Sequence, residues 1–209
     1  MDIPAEFARV VTCSRCTTAT SRKLLRDGAN NVPQPGFIGA NYLRRRVALA
    51  GQNPAVGPSR FAARDAFYTA ALRDVGDTPT IENMEALNRI LLEFIPAWPV
   101  HGSYFPLEEC GLQLDEIAYF NVVRCRTLGN SAPGTGLVSN CLGHFDRWLE
   151  LLAPRIVVFI GKWAHDRASH LAERRGIPVA FMNRERSLSQ EERYANRKSV
   201  VEAVRAAAI

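Results

Sequence analysis

The chain has 209 residues, of which 47% are hydrophobic, 22% charged and 9% aromatic. That composition supplies one buried core and excludes a disordered, collagen-like or low-complexity chain. No apolar run approaches the roughly 20 residues of a membrane span. Met1 to Val10 contains two acids and no basic-then-apolar leader pattern, so a soluble, cytoplasmic chain with no membrane partner is expected. The net charge of +5 permits a polyanionic partner without requiring one.

In chain order, the first forty residues read as irregular, with the turn-rich run Asp27 to Gly36. Val47 to Ala50 is a short apolar run closed by Gly51, the pattern of a buried strand. Phe61 to Val75 favours helix, and Ile81, Met84, Leu87, Ile90, Leu91 and Phe94 recur at helical spacing until Pro96. Ile117 to Val123 is a second strand. Val138 to Leu152 is an amphipathic helix, and Arg155 to Gly161 contains the clearest buried strand. A helix from His165 to Arg175 and a fourth strand from Pro178 to Met182 follow. Ser189-Gln190-Glu191-Glu192 has capping-box spacing and opens the last helix. Short apolar strands alternating with helices predict an α/β fold, a three-layer α/β/α sandwich around a mostly parallel four-stranded sheet. Residues 1–209 then form one domain, with the cysteine-bearing segment 1–45 packed on it. In such sheets ligands gather at the carboxyl ends of the strands. This directs attention to Gln52 and Asn53, to 121–126, to 161–164 and to 183–187.

Cys13 and Cys16 form a Cys-x-x-Cys pair, and fifteen residues separate Cys125 from Cys141. Four thiolates suit a structural zinc or an iron–sulfur cluster, and spacing alone does not choose between them. Free cysteine is also a common buried small hydrophobe, the reading that suits Cys110, which has no partner at motif spacing.

The motifs become specific in combination. Cys13-x-x-Cys16 is followed by Gly51-Gln52-Asn53-Pro54, then by Asn121-Val122-Val123-Arg124-Cys125-Arg126, then by Cys141 and the strand 155–161. In this order and spacing the chain resembles the uracil-DNA glycosylase superfamily, and within it the iron–sulfur families 4 and 5. The Gly-x-Asn-Pro form of the first motif is similar to the mismatch-specific and single-strand-selective branches. The resemblance implies a 4Fe–4S cluster on Cys13, Cys16, Cys125 and Cys141. It implies a monofunctional, base-flipping glycosylase that hydrolyses the bond between uracil and deoxyribose in base excision repair, acting as a nucleoid-associated monomer on DNA that contains uracil or another damaged base.

By the same resemblance, Asn53 positions the attacking water. Asn183 stands where most members carry the histidine of a His-Pro-Ser motif, here absent, and stabilises the departing base. Asn121 reads that base with Gln52, and Phe61 stacks on it. Arg184, Arg186 and Lys162 grip DNA at the strand ends, with Arg124 and Arg126 flanking the cluster cysteine. Plainer readings stand beside these: Asn53 as a turn residue before proline, Asn121 as a strand-end hydrogen-bonder, Phe67 as core. Hypoxanthine or xanthine as the excised base, and a non-catalytic iron–sulfur DNA-binding protein, are the alternative functions. The second is raised by the missing carboxylate and histidine.

Overall fold

A computed structural model describes residues 3–16, 24, 32–55, 62–75, 79–94, 105–184 and 188–207. Five strands form one sheet in the order β1-β3-β2-β4-β5: Phe37–Ile38 (β1), Val47–Gly51 (β2), Ile117–Asn121 (β3), Ile156–Ile160 (β4) and Val179–Met182 (β5). β2 to β5 run parallel, in the registers Val47 with Ile117, Val47 with Ile156, and Val157 with Val179. The four predicted strands are present, and the sheet has one more. β1 is only two residues long and pairs antiparallel with the edge of β3, Phe37 opposite Tyr119. So short a strand has no periodicity to read; the exposed edge of β3 creates it by offering backbone partners.

The three-layer reading holds. Alternate strand residues face opposite layers. Val47, Leu49, Ile117, Tyr119, Ile156, Val158 and Ile160 join a core with helices Ala62–Asp74 (α3), Ile81–Phe94 (α4) and Gln190–Ala207 (α8). Ala48, Ala50, Ala118, Phe120, Val157 and Phe159 face Thr135–Leu152 (α6) and Lys162–Arg174 (α7). Both faces are apolar, which is why these strands read as continuous hydrophobic runs. At the start of α8, Ser189 N–H donates to Glu192 Oε2 at 2.7 Å and Glu192 N–H to Ser189 Oγ at 3.2 Å, closing the predicted capping box.

The N-terminal segment differs from the sequence reading. Ile3–Val11 is a helix (α1), with Glu6, Phe7, Val10 and Val11 among its buried residues, and it packs against α6. Two further short helices, Tyr42–Arg45 (α2) and Leu107–Cys110 (α5), were also not predicted. Each is about one turn and is held by its surroundings, since helices so short are not stable alone.

From β2 the chain moves to β3 on one side, then to β4 on the other. The crevice at such a reversal lies outside the carboxyl ends of the strands. Gly51, Gln52 and Asn53 leave β2 at that point. No helix among the described residues is long and apolar enough to cross a membrane.

Candidate active site and four-cysteine centre

The two motifs after β2 and β3 lie side by side. Val122 N–H donates to Gly51 O at 2.8 Å, and Val123 N–H to Gln52 O at 3.0 Å, so the strand pairing continues into both loops. Asn121 is buried, and Tyr119 Oη donates to its Oδ1 at 3.3 Å. Glycine at position 51 follows from this pair. A Cβ there would run into Asn121 Oδ1 and Tyr119 Oη, and would stand 3.1 Å from Tyr119 Cζ.

Asn53 is half-buried beside them. Its Nδ2 lies 3.2 Å from Thr127 Oγ1 and 3.2 Å from Pro54 O. Thr127 Oγ1 gives its proton to Ser131 O at 2.6 Å, so towards Asn53 it accepts. That directs the amide: nitrogen to Thr127 and Pro54, Oδ1 to the other side. An ordinary turn asparagine has no such anchor in another loop. Thr127 was not singled out from the sequence; its role comes from a contact across 74 residues.

Asn53 and Asn183, the predicted asparagine pair, follow strands that are not neighbours. Asn183 follows β5, two strands from β2, with β4 between. At ~4.8 Å per strand the gap is about 10 Å. Its side chain is exposed, and its backbone N–H and C=O are held by Asn196 at 2.9 and 3.1 Å. Arg184 is exposed and lies over Gly161, the N-cap of α7, whose φ is +93°. Lys162 is exposed and paired with Asp166 at 3.1 Å. Gln52, Asn53, Asn121, Lys162, Asn183 and Arg184 thus share the carboxyl edge of the sheet. Phe61 and Arg186 lie outside the described residues.

Three expectations change. Arg124 and Arg126 are each only 1% exposed, so neither side chain reaches the surface to grip DNA. Arg126 forms an ion pair with Asp65 on α3, a carboxylate the motifs did not flag. Phe67, read as core, is 60% exposed, because α3 buries Tyr68, Thr69 and Leu72 instead.

A stretch of the chain is similar to a uracil-DNA glycosylase. Over 55 residues it is 33% identical to the type-4 uracil-DNA glycosylase of Sulfurisphaera tokodaii. That match takes in 26% of this chain and 25% of the relative, so the chain spans about a quarter of the length of the curated relative it matches. No family model matches the chain.

The four motif cysteines come from three places: the segment after α1, the loop after β3, and α6. Cys125 and Cys141 are buried, Cys13 and Cys16 half-buried. Cys125 and Cys141 share an apolar cluster with Leu24, Val123, Leu137 and Val138, against which Cys16 packs. Leu24 is bridged to Thr127, which ties the N-terminal arm to the loop after β3. The thiols interact with one another. A hydrogen bond with Cys16, then burial, pushes the Cys125 and Cys141 thiols far above their ordinary range. Cys13 is moved the opposite way by a hydrogen bond with His144. Among the described residues, no three His, Cys, Asp or Glu side chains are grouped as a ready single-ion site. The donor chemistry nonetheless fits a thiolate-held metal centre: four soft ligands, no competing carboxylate among them, in an apolar wrap that a bound cation would relieve of its mutual repulsion. Cys110 is buried apart from them, its thiol pushed up to about 12 by desolvation, as its reading as a small hydrophobe requires.

Proposed function

We propose that the protein is a DNA glycosylase of the uracil-DNA glycosylase type, excising uracil or a related deaminated base. One observation carries this reading: Asn53, in the loop after β2, and Asn121, at the end of β3, come from separate motifs to the reversal of the sheet, each oriented by its own hydroxyl partner. The partial match to a type-4 uracil-DNA glycosylase supports it.

In this reading the flipped base sits against Asn121. Its Oδ1 keeps a lone pair beyond the Tyr119 bond and accepts from uracil N3–H, while Nδ2 donates to O4. Cytosine reverses both groups and is rejected. Asn53 Oδ1, turned away from Thr127, holds the attacking water. An amide is a poor base, so it serves by orientation: the bond to the sugar breaks first and water adds to the resulting cation. Asn183 would have to move, or the base reach towards it, to take the anion-stabilising role. Arg184, Lys162 and the N-terminus of α7 face the phosphates. Cys13, Cys16, Cys125 and Cys141 would hold a 4Fe–4S cluster, whose contribution is to tie the N-terminal arm to β3 and α6.

The test is base release from oligonucleotides bearing uracil, hypoxanthine or xanthine, with Asn53→Ala as control. Free uracil that disappears in N53A supports the reading. Release of hypoxanthine or xanthine alone moves the substrate to a purine. Salt-sensitive binding with no free base refutes catalysis and leaves a DNA-binding protein.

A further inference from the structure

Two buried N–H groups beside the cysteines, Arg124 Nε and Nη2, have no hydrogen-bond partner among the described residues. Arg124 is 1% exposed. Its guanidinium is fastened on one side only, through Nη1 to Pro35 O at 2.7 Å, and lies 5.2 Å from the centre of the Phe120 ring. A buried guanidinium ordinarily saturates its donors or meets an anion. The acidic groups near it are Cys141 and Glu6. His144 is 6% exposed, and its Nδ1 is 2.6 Å from Glu6 Oε1. The carboxyl and the ring share that hydrogen bond. The ring's other neighbour is Cys13.

The sulfurs themselves take donors from the backbone of Arg124 and from Asn140. Arg124 N–H points to Cys141 Sγ at 3.5 Å, and Asn140 Nδ2 to Cys16 Sγ at 3.5 Å. The walls are otherwise apolar, lined by Leu24, Val123, Leu137 and Val138, and offer a water few partners. Four thiolates bring four negative charges into that space. Donors and a cation aimed at sulfur are the protein's means of holding such a centre and setting its potential.

We propose that Arg124 compensates charge at the four-cysteine centre and that His144, held by Glu6, completes its outer shell. The inference rests on those cysteines holding a cluster. Both are positioning residues. Arg124 balances charge at Cys141, and the Glu6–His144 pair docks α1 on α6 so that Cys13 is presented to the centre.

The experiment uses the full chain purified without oxygen. Iron and sulfide content, visible absorbance, midpoint potential and the competition of a chelator for the metal are measured in wild type, Arg124→Met, Arg124→Lys and His144→Gln. Loaded R124M should titrate at a more negative potential, because the reduced centre carries the extra negative charge, and both R124M and H144Q should hold metal about 10–100-fold more weakly. R124K, which keeps the charge, should recover most of the potential. A general loss of stability would not produce that split. Loaded variants with the potential and metal retention of wild type overturn the proposal while leaving the cluster intact. If R124M does not load, R124K and H144Q decide by the same readouts. A wild-type chain without iron overturns the cluster reading itself; if it holds zinc, chelator competition alone judges the outer shell.

Discussion

Adding one methyl group to Gly51 tests the candidate site at its tightest point. The Gly51→Ala Cβ would fall inside contact with Asn121 Oδ1 and Tyr119 Oη, and stand 3.1 Å from Tyr119 Cζ, where ordinary contact begins at 3.4 Å. Both oxygens would have to withdraw by about 1 Å, and a displacement of that size at a reacting site costs on the order of 10²-fold in rate. Neither can withdraw freely, since Tyr119 and Asn121 lie on β3, paired with β1 and β2. Overpacking of this kind costs about 1–3 kcal/mol. For a chain of this size each kcal/mol lowers Tm by about 2–4 °C, so G51A should melt about 2–12 °C below wild type. Calorimetry measures the stability, and base release from uracil-containing DNA measures the activity. G51A with wild-type Tm and wild-type release would refute the argument that glycine is there to make room for the amide. A stable variant with lost release would separate the site from the fold in its favour.

Other outcomes follow from the same geometry. Asn53→Ala should lower base release far more than Asn183→Ala, because only Asn53 is anchored beside Asn121; equal losses in single-turnover kinetics would return Asn183 to the centre. Thr127→Val removes the acceptor that directs Asn53 and should reduce release about tenfold or more, by analogy with other supporting contacts, with a loss of about 1–3 kcal/mol in unfolding by urea because Ser131 O also loses its donor. Asp65→Ala withdraws the carboxylate from Arg126, which is 1% exposed; a loss of about 3 kcal/mol in urea denaturation is expected, the low end for a broken buried pair because Asp65 is partly exposed. The hydrogen bonds from Arg175, both at 2.9 Å, hold the Asp146 carboxyl below its ordinary range. A depressed folded pKa gives stability that is complete above the unfolded value of 3.8 and is lost as pH falls through the folded one. Asp146→Asn should therefore be less stable than wild type near neutral pH, by under about 1 kcal/mol because the pair is a third exposed. The difference should vanish in acid, a comparison that thermal melts across pH make directly.

Much of the architecture was legible because local pattern and tertiary role coincide. A strand buried on both faces must be continuously apolar, so 156–160 declares itself. A helix with one buried face must repeat its apolar residues, as Met84, Leu87 and Leu91 do. Where tertiary contact makes the structure, pattern is silent. β1 exists because β3 has an edge to cover. α1 went unread because Glu6 interrupts its apolar face, and Glu6 is tolerated there because His144 meets it from α6 and Arg9 pairs with it. His144 lies three residues after Cys141, one helical turn along the same face, and that spacing was the available signal for a residue serving the cysteines.

The sequence by itself determined the order of parallel strands and helices, the two asparagine motifs at strand ends and the four thiols, since these follow from hydrophobic period and from residue type at short range. Only the tertiary structure decided which of them meet. It set Asn53 against Thr127 and beside Asn121, left Asn183 two strands away, and drew Arg124 and Arg126 inward. Adjacency in a sheet depends on strand order, and the side a long cation faces depends on what buried anion or carbonyl awaits it. Neither is written in the spacing of residues along one chain.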